Sequence, residues 1–374
     1  MNPSPSLGRL LAAAPYGLPQ KEKRALLTER ARELTRLHYE RCERYRDLID
    51  RIFGGARALE FEQLEDAPFL PVSLFKTREL RSVPPDEVVK TLTSSGTSGQ
   101  PPSRVYLDAE TAQLQTRALV KIMQHFLGVQ RRPLVFVDHA GVVRDRRAFA
   151  ARGAGILGLL PFGRQPFYVL REDMSLDLDG LQEYLGRTRE QRPIFFGFTF
   201  MVWQYFVEAL ARLERRLSLP GAVLLHSGGW KKLESAQVSP DEFRRRVRAA
   251  TGIETVINYY GMVEQVGSVY VENPRHFLQA SSFSDVIIRD TNTLEPLPPG
   301  RAGLIQVVSA LPCSYPGHSL LTEDVGAVEG CDDPATGMTG QYFQIRGRLP
   351  RAELRGCSDT FQSPVPQNPV PAPA

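Results

Sequence analysis

The sequence predicts an α/β fold: a large domain of parallel-rich sheets flanked by helices, with a smaller β-rich subdomain. Strand-like and helix-like stretches alternate from about residue 104 to 262, the signature of crossover units that build parallel sheets. From about 283 to 345 the pattern changes to short strands and turns. Size fits this class. The 374 residues are 42% hydrophobic and 24% charged, enough to bury a sizeable core and to form two or more subdomains.

Residues 1–20 carry Pro, Gly and Ser and are expected to be loosely ordered. Leu27, Leu34, Leu37, Tyr45, Leu48 and Ile52 recur at helical spacing. They predict one long amphipathic helix over about 21–52, with Cys42 inside it in a packing role. Residues 66–90 contain Pro68, Pro71, Pro84 and Pro85 and read as irregular; Phe75-Lys76 has no context there that assigns it. Strands are predicted at 104–107, 134–137, 167–170, 194–198, 222–226 and 255–258. Helices are predicted at about 114–126, 144–153, 176–188, 200–216 and 241–250. Ser239-Pro-Asp-Glu242 is the start signal of the last. Short strands follow at 286–289, 303–308, 326–328 and 342–345. Residues 362–374 are Pro-rich and read as a disordered tail.

Composition excludes several classes. Net charge is +4, but the arginines are spread along helical faces, with no basic tract of the kind that binds nucleic acid. No apolar run approaches the length of a membrane span, and Leu10-Leu-Ala-Ala-Ala14 is too short for a secretory signal. Cys42, Cys313, Cys331 and Cys357 are far apart with no CxxC. A disulfide framework or zinc site is therefore not expected, and a cytoplasmic protein is.

Chemistry concentrates in a few stretches. Thr91-Leu-Thr-Ser-Ser-Gly-Thr-Ser-Gly99 holds six hydroxyl residues and two glycines. Small residues admit a ligand close to the backbone, and hydroxyls and N–H groups donate to phosphate oxygens. Gln100 follows Gly99 where a Walker loop has Lys, so this is no ordinary P-loop. At the predicted strand ends stand His139, Ser227-Gly-Gly-Trp230 and Tyr259-Tyr-Gly-Met-Val-Glu264, where α/β folds gather ligands. Paired glycines let backbone pack on a flat ring. Tyr260 can stack on a purine, and Glu264 can hold Mg²⁺ against phosphates. Asp324, in Leu321-Thr-Glu-Asp324, can accept both ribose hydroxyls. Ile345-Arg-Gly-Arg348 and Arg355-Gly-Cys-Ser-Asp359 complete the set. Taken singly, each has a plainer alternative: a flexible loop, a strand-to-helix turn, a buried Tyr beside a solvated Glu, a turn aspartate, an inert cysteine.

In this order and at these separations the stretches resemble the adenylate-forming superfamily. Thr93, Ser94, Ser95, Gly96, Thr97, Ser98 and Gly99 look like its phosphate loop. Ser227, Gly228 and Gly229 look like its adenine-side motif, and Tyr260-Gly261 through Glu264 like its aromatic-Gly-x-x-Glu motif. Asp324 looks like the ribose aspartate, and Gly347-Arg348 like the hinge Gly-Arg. Over roughly residues 20–360 the chain is more similar still to the acyl-protein synthetase (LuxE) family, part of the fatty acid reductase complex of bacterial bioluminescence. That resemblance implies ATP and Mg²⁺ as cofactors, a fatty acid substrate, acyl-AMP as intermediate, acylation of Cys357, and transfer to a partner reductase. Arg348, Arg351 and Arg355 lie near Cys357 in sequence, and positive charge favours a thiolate; Gly356 lets the segment bend.

The resemblance divides the chain into a core at 21–282, a β-rich unit at 283–346, and a hinge and acyl-carrier segment at 347–361. Two departures stand out. Gln100-Pro-Pro-Ser-Arg104 offers only Arg104 where the superfamily loop carries Lys. The C-terminal domain with a catalytic lysine is expected to be absent, leaving Lys231, Lys232 or a partner subunit to neutralise the α-phosphate. Phe200, Trp203 and Phe206 fit either an acyl tunnel or plain core. Two rival functions remain open: an acyl-AMP ligase delivering to coenzyme A or a carrier protein, and a non-catalytic scaffold for a reductase.

Overall fold

The computed structural model describes residues 4–94, 101–143, 151–188, 191–230 and 237–349. Its strands are β1 (Leu70–Pro71), β2 (Lys90–Thr93), β3 (Arg104–Leu107), β4 (Arg132–His139), β5 (Gly163–Leu170), β6 (Ile194–Phe198), β7 (Val223–Ser227), β8 (Thr255–Tyr260), β9 (Tyr270–Glu272), β10 (Leu278–Gln279), β11 (Ser284–Arg289), β12 (Gly303–Ser309), β13 (Ser319–Cys331) and β14 (Gln341–Arg348). The helices are α1 (Pro5–Ala12), α2 (Gln20–Arg41), α3 (Glu43–Ile52), α4 (Leu74–Thr77), α5 (Ala109–Leu127), α6 (Ala151–Leu159), α7 (Leu178–Thr188), α8 (Thr199–Met201), α9 (Glu208–Arg212) and α10 (Pro240–Thr251).

The predicted α/β alternation is present. β5, β4, β6, β7 and β8 run parallel side by side. Continuous apolar runs such as Leu134-Val-Phe-Val137 are buried on both faces, as parallel strands flanked by helices must be. α10 starts where its signal stands: the Ser239 hydroxyl accepts from the Glu242 N–H, Pro240 opens the first turn, and Gly252 ends the helix in the left-handed region. β9 and β10 then connect the parallel strands to the antiparallel run β14, β13, β12 and β11, so all these strands form one hydrogen-bonded sheet. β2 and β3 form a separate two-stranded hairpin.

Local expectations change in several places. The helix expected at about 144–153 is α6 at Ala151–Leu159, with 144–150 outside the described residues, and the region 66–90 read as irregular holds β1 and α4. Residues 5–12 are helical rather than loose, because the Ser4 hydroxyl caps α1 and Leu7, Leu10 and Leu11 are buried. The single helix expected over 21–52 is two helices that break at Cys42, whose backbone is extended (φ −119°, ψ 98°). The break lets one chain serve two cores. Leu26, Leu27 and Ala31 of α2 join the core around the parallel strands, whereas Cys42, Tyr45 and Ile49 join the core of the antiparallel strands. Between α8 and α9 the chain is π-helical over Val202–Val207, one residue wider per turn than the regular helix that apolar spacing implies.

Two buried histidines tie α2 to the segment before β13. His38 stacks on His318 at 5.1 Å. His38 Nε2 donates to the Pro312 carbonyl (3.1 Å), and Thr35 bonds His318 (3.0 Å). Burial pushes His318 down to about 3 and His38 well below its ordinary value. In the unfolded chain both take a proton near pH 6.5; in the fold they do not. The unfolded state therefore binds more protons between about pH 3 and 6.5, and stability falls as pH falls through that window. We expect the urea midpoint to drop from pH 7 to pH 5, with each buried histidine contributing on the order of 1 kcal/mol per pH unit. An unchanged midpoint contradicts this.

Candidate active site

β8 sets the centre of the site. Its last residue, Tyr260, leads into Gly261, Met262 and a tight turn over Val263–Gln265 that carries Glu264. Buried side chains pin this turn. Gln265 Nε2 donates to the carbonyls of Val307 (3.1 Å) and Gly317 (2.8 Å). Tyr315 Oη donates to the Glu264 carbonyl (3.0 Å) and accepts from Gln115 of α5 (3.1 Å). Gly267 closes the turn at φ +87°, with the backbone of Gln115 so near that a Cβ would lie 2.6 Å from its carbonyl oxygen.

The Glu264 carboxylate is buried, which raises its pKa. Two neighbours oppose that shift: the Ser103 hydroxyl, hydrogen-bonded to the carboxylate, and the positive charge of Lys76. Ser103 stands at the mouth of the β2–β3 hairpin. There the Ser94 N–H donates to the Ser103 carbonyl (3.1 Å), and the Ser103 N–H donates to the Ser94 hydroxyl (2.9 Å). Thr93 pairs with Arg104 in the last register position of the hairpin. The Ser/Thr/Gly stretch is thus the connection of a hairpin whose base touches Glu264. Ser95, Gly96, Thr97, Ser98 and Gly99 lie outside the described residues, as do Lys231, Lys232 and Cys357 with its flanking Arg351 and Arg355.

Three motifs distant in sequence meet on one carboxylate. Tyr260 Oη donates to Asp324 Oδ2 at 2.7 Å. Arg348 Nε approaches Asp324 Oδ1 at 3.5 Å, and its Nη2 lies 3.1 Å from Glu323. The register makes this pairing, because Asp324 and Arg348 are direct partners across β13 and β14. Burial, then the Asp324 charge, pushes the Tyr260 hydroxyl well above its usual range, so it stays a donor.

Ser227 ends β7 opposite Tyr259 of β8, and Gly228 follows at φ +82°, which glycine adopts at no steric cost. Ser227, Gly228 and Gly229 thus share the carboxyl edge of the sheet with Tyr260 and Gly261. Behind this turn is a cavity of about 140 Å³, walled by His226, Trp230, Phe243, Arg244, Asn258 and Glu272. Arg244 pairs with Glu272 at 2.8 Å. Phe200 and Phe206 are buried core; Trp203 is half-buried and stacks on Phe243 at 6.1 Å. His139, at the end of β4, neighbours a buried Asp138–Arg152 pair (3.0 Å); burial pushes Asp138 up to about 6.

Sequence reading missed Lys76, Ser103 and Glu323 as neighbours of Glu264. Glu323 and Ser103 flank recognised motifs, so adjacency was an available signal. Lys76 had none.

One fold class fits this set of strand-end motifs, that of the adenylate-forming ligases. The structure superposes on 2-hydroxyisobutyryl-CoA ligase with a TM-score of 0.68 and 17% identity, over 93% of this chain and 79% of that one. The sequence matches the family acyl-protein synthetase, LuxE, over residues 6–365, and the chain belongs to that family, which makes it a ligase. Among its relatives is a long-chain-fatty-acid–luciferin-component ligase of Vibrio harveyi, 24% identical over 91% of this chain and 90% of that protein. Another is its counterpart in Aliivibrio fischeri, at 20% over 93% and 91%. A phenylacetate-coenzyme A ligase of Thermus thermophilus is 28% identical over 88% of this chain and 73% of its own length. Among the described residues, no helix is long and apolar enough to cross a membrane.

The Glu264 turn gives a direct check. Gly267→Ala forces a Cβ into the α5 backbone at a positive φ, and we expect a loss of about 2 kcal/mol or more in urea unfolding. An unchanged midpoint shows that the turn is not pinned there.

Proposed function

We propose that the chain activates a fatty acid with ATP to acyl-AMP, passes the acyl group to Cys357, and delivers it to a partner acyl reductase. The observation that carries the nucleotide half is the meeting of Tyr260, Asp324 and Arg348 at one carboxylate, beside Glu264 and the base of the Ser/Thr/Gly hairpin. Asp324 offers acceptor oxygens to ribose hydroxyls, and Tyr260 and Gly228 offer flat surfaces to the purine. The hydroxyls and N–H groups of Thr93–Gly99 suit the phosphates.

Activation makes a poor leaving group into a good one. A carboxylate oxygen bonds to the α-phosphorus, the α–β phosphoanhydride bond breaks, and its electron pair leaves with pyrophosphate. Charge grows on the phosphate oxygens, so donors already in place lower the barrier. Mg²⁺, when bound, neutralises part of that charge. Glu264 suits it, because Mg²⁺ takes one or two carboxylates and completes its shell with substrate phosphates and water. In the second step the Cys357 thiolate attacks the acyl carbon and AMP leaves, giving a thioester.

The likeness to the phenylacetate-coenzyme A ligase supports a second reading, delivery to an external thiol. Intact mass separates the two. After incubation with ATP, Mg²⁺ and fatty acids of varied length, we expect an ATP-dependent adduct that hydroxylamine removes and Cys357→Ser lacks. Glu264→Gln and Asp324→Ala should cut ATP–pyrophosphate exchange by about 10²-fold or more. Pyrophosphate release without an adduct favours the external acceptor; neither product leaves a scaffold.

A further inference from the structure

This inference rests on nucleotide binding at the Glu264 turn. The Ser/Thr/Gly stretch carries Gln100 where the superfamily loop carries Lys, and Arg104 at the hairpin base is exposed. Asp324 and Glu323 engage Arg348. The lysine that the fold brings to Glu264 comes from a short turn 188 residues earlier in the chain, counting from position 76 to position 264.

Several contacts fix Lys76 there. β1 pairs in parallel with β13, Leu70 with Leu320 and Pro71 with Leu321. The Val72 N–H then donates to the Leu321 carbonyl at 2.9 Å. The chain therefore enters α4 from β1, alongside β13, the strand that continues into Glu323 and Asp324. Phe75 is fully buried and meets Tyr315 edge-on, 6.1 Å between ring centres. Tyr315 is the residue whose hydroxyl donates to the Glu264 carbonyl. Lys76 follows Phe75, is half-buried, and its charge acts on the Glu264 carboxylate. One turn is thus held by the two elements that position Asp324 and Glu264.

We propose that Lys76 is a catalytic residue of adenylation, its ammonium contacting the nucleotide phosphate oxygens that gain charge as pyrophosphate departs. Lysine suits this as a compact point charge on a flexible stem. Its role is to offset charge on the oxygens while the α–β bond breaks.

The test compares Lys76→Met and Lys76→Arg with the wild-type full chain. Calorimetry with Mg²⁺ gives the Kd for ATP, AMP and adenosine, and ATP–pyrophosphate exchange gives the rate. Lys76→Met should weaken ATP about 10-fold or more and slow exchange by about 10²-fold. Its adenosine affinity and melting temperature should stay near wild type, and Lys76→Arg should recover part of both losses. Wild-type ATP affinity and exchange in Lys76→Met overturn the assignment. Equal losses for ATP and adenosine with a lower melting temperature also overturn it, in favour of a scaffold role. Wild-type protein that neither binds ATP nor exchanges pyrophosphate removes the nucleotide reading itself, and this assignment with it.

Discussion

One edge of β13 organises the site. Along its other edge β13 pairs with β12 from Ser319 to Gly326. On this edge it pairs first with β1 at Leu320 and Leu321, then with β14 from Asp324 onward. The changeover falls at Thr322 and Glu323, where the Thr322 hydroxyl turns inward to the Ile305 carbonyl (2.7 Å) and Leu349 N–H donates to the Glu323 carbonyl (3.0 Å). A strand that changes partners presents two chain segments at one point. Here they bring Lys76 from one side and Arg348 from the other.

Side-chain hydrogen bonds join the two halves of the fold in addition to the continuous sheet. Tyr260 belongs to the parallel strands and Asp324 to the antiparallel ones, and a single 2.7 Å hydrogen bond joins them. Below it, Gln265 spends its side-chain amide on two carbonyls of the antiparallel half. Both links are buried or partly buried, where leaving a partner unsatisfied costs about 1–3 kcal/mol. The geometry around Glu264 is therefore set by the same contacts that hold the halves in register. Its protonation balance follows: burial raises the carboxyl pKa, and Ser103 and Lys76 offset only part of that rise.

Much of this was legible in the sequence for physical reasons. Parallel strands buried on both faces announce themselves as unbroken apolar runs such as Ile194-Phe-Phe-Gly-Phe198. Capping is local chemistry, so Ser239-Pro-Asp-Glu242 located α10 within a residue. Tyr260, Asp324 and Arg348 were found because each sits at the end of a readable element within a recognisable motif. What stayed hidden depends on long-range pairing. Lys76 has no neighbour in sequence that marks it, because its position comes from a two-residue strand pairing with residues about 250 positions away, Leu70 with Leu320. Cys42 is neither glycine nor proline, and the helix breaks there to satisfy two cores rather than any local preference. The continuity of the sheet through β9 and β10 is likewise tertiary, carried by strands of three and two residues.

Among the described residues, the β2–β3 hairpin shares no backbone ladder with the large sheet. Its grip is made of side chains: Val105 and Leu107 in the second core, and Ser314, whose hydroxyl donates to the Tyr106 carbonyl and whose N–H donates to Thr111. Side-chain packing yields by small rotamer steps, whereas a ladder gives way only by breaking hydrogen bonds in series. The hairpin is in this sense mechanically insulated. The scaffold carrying Tyr260, Asp324 and Arg348 is ladder-bonded throughout, so two kinds of attachment sit side by side in one small volume.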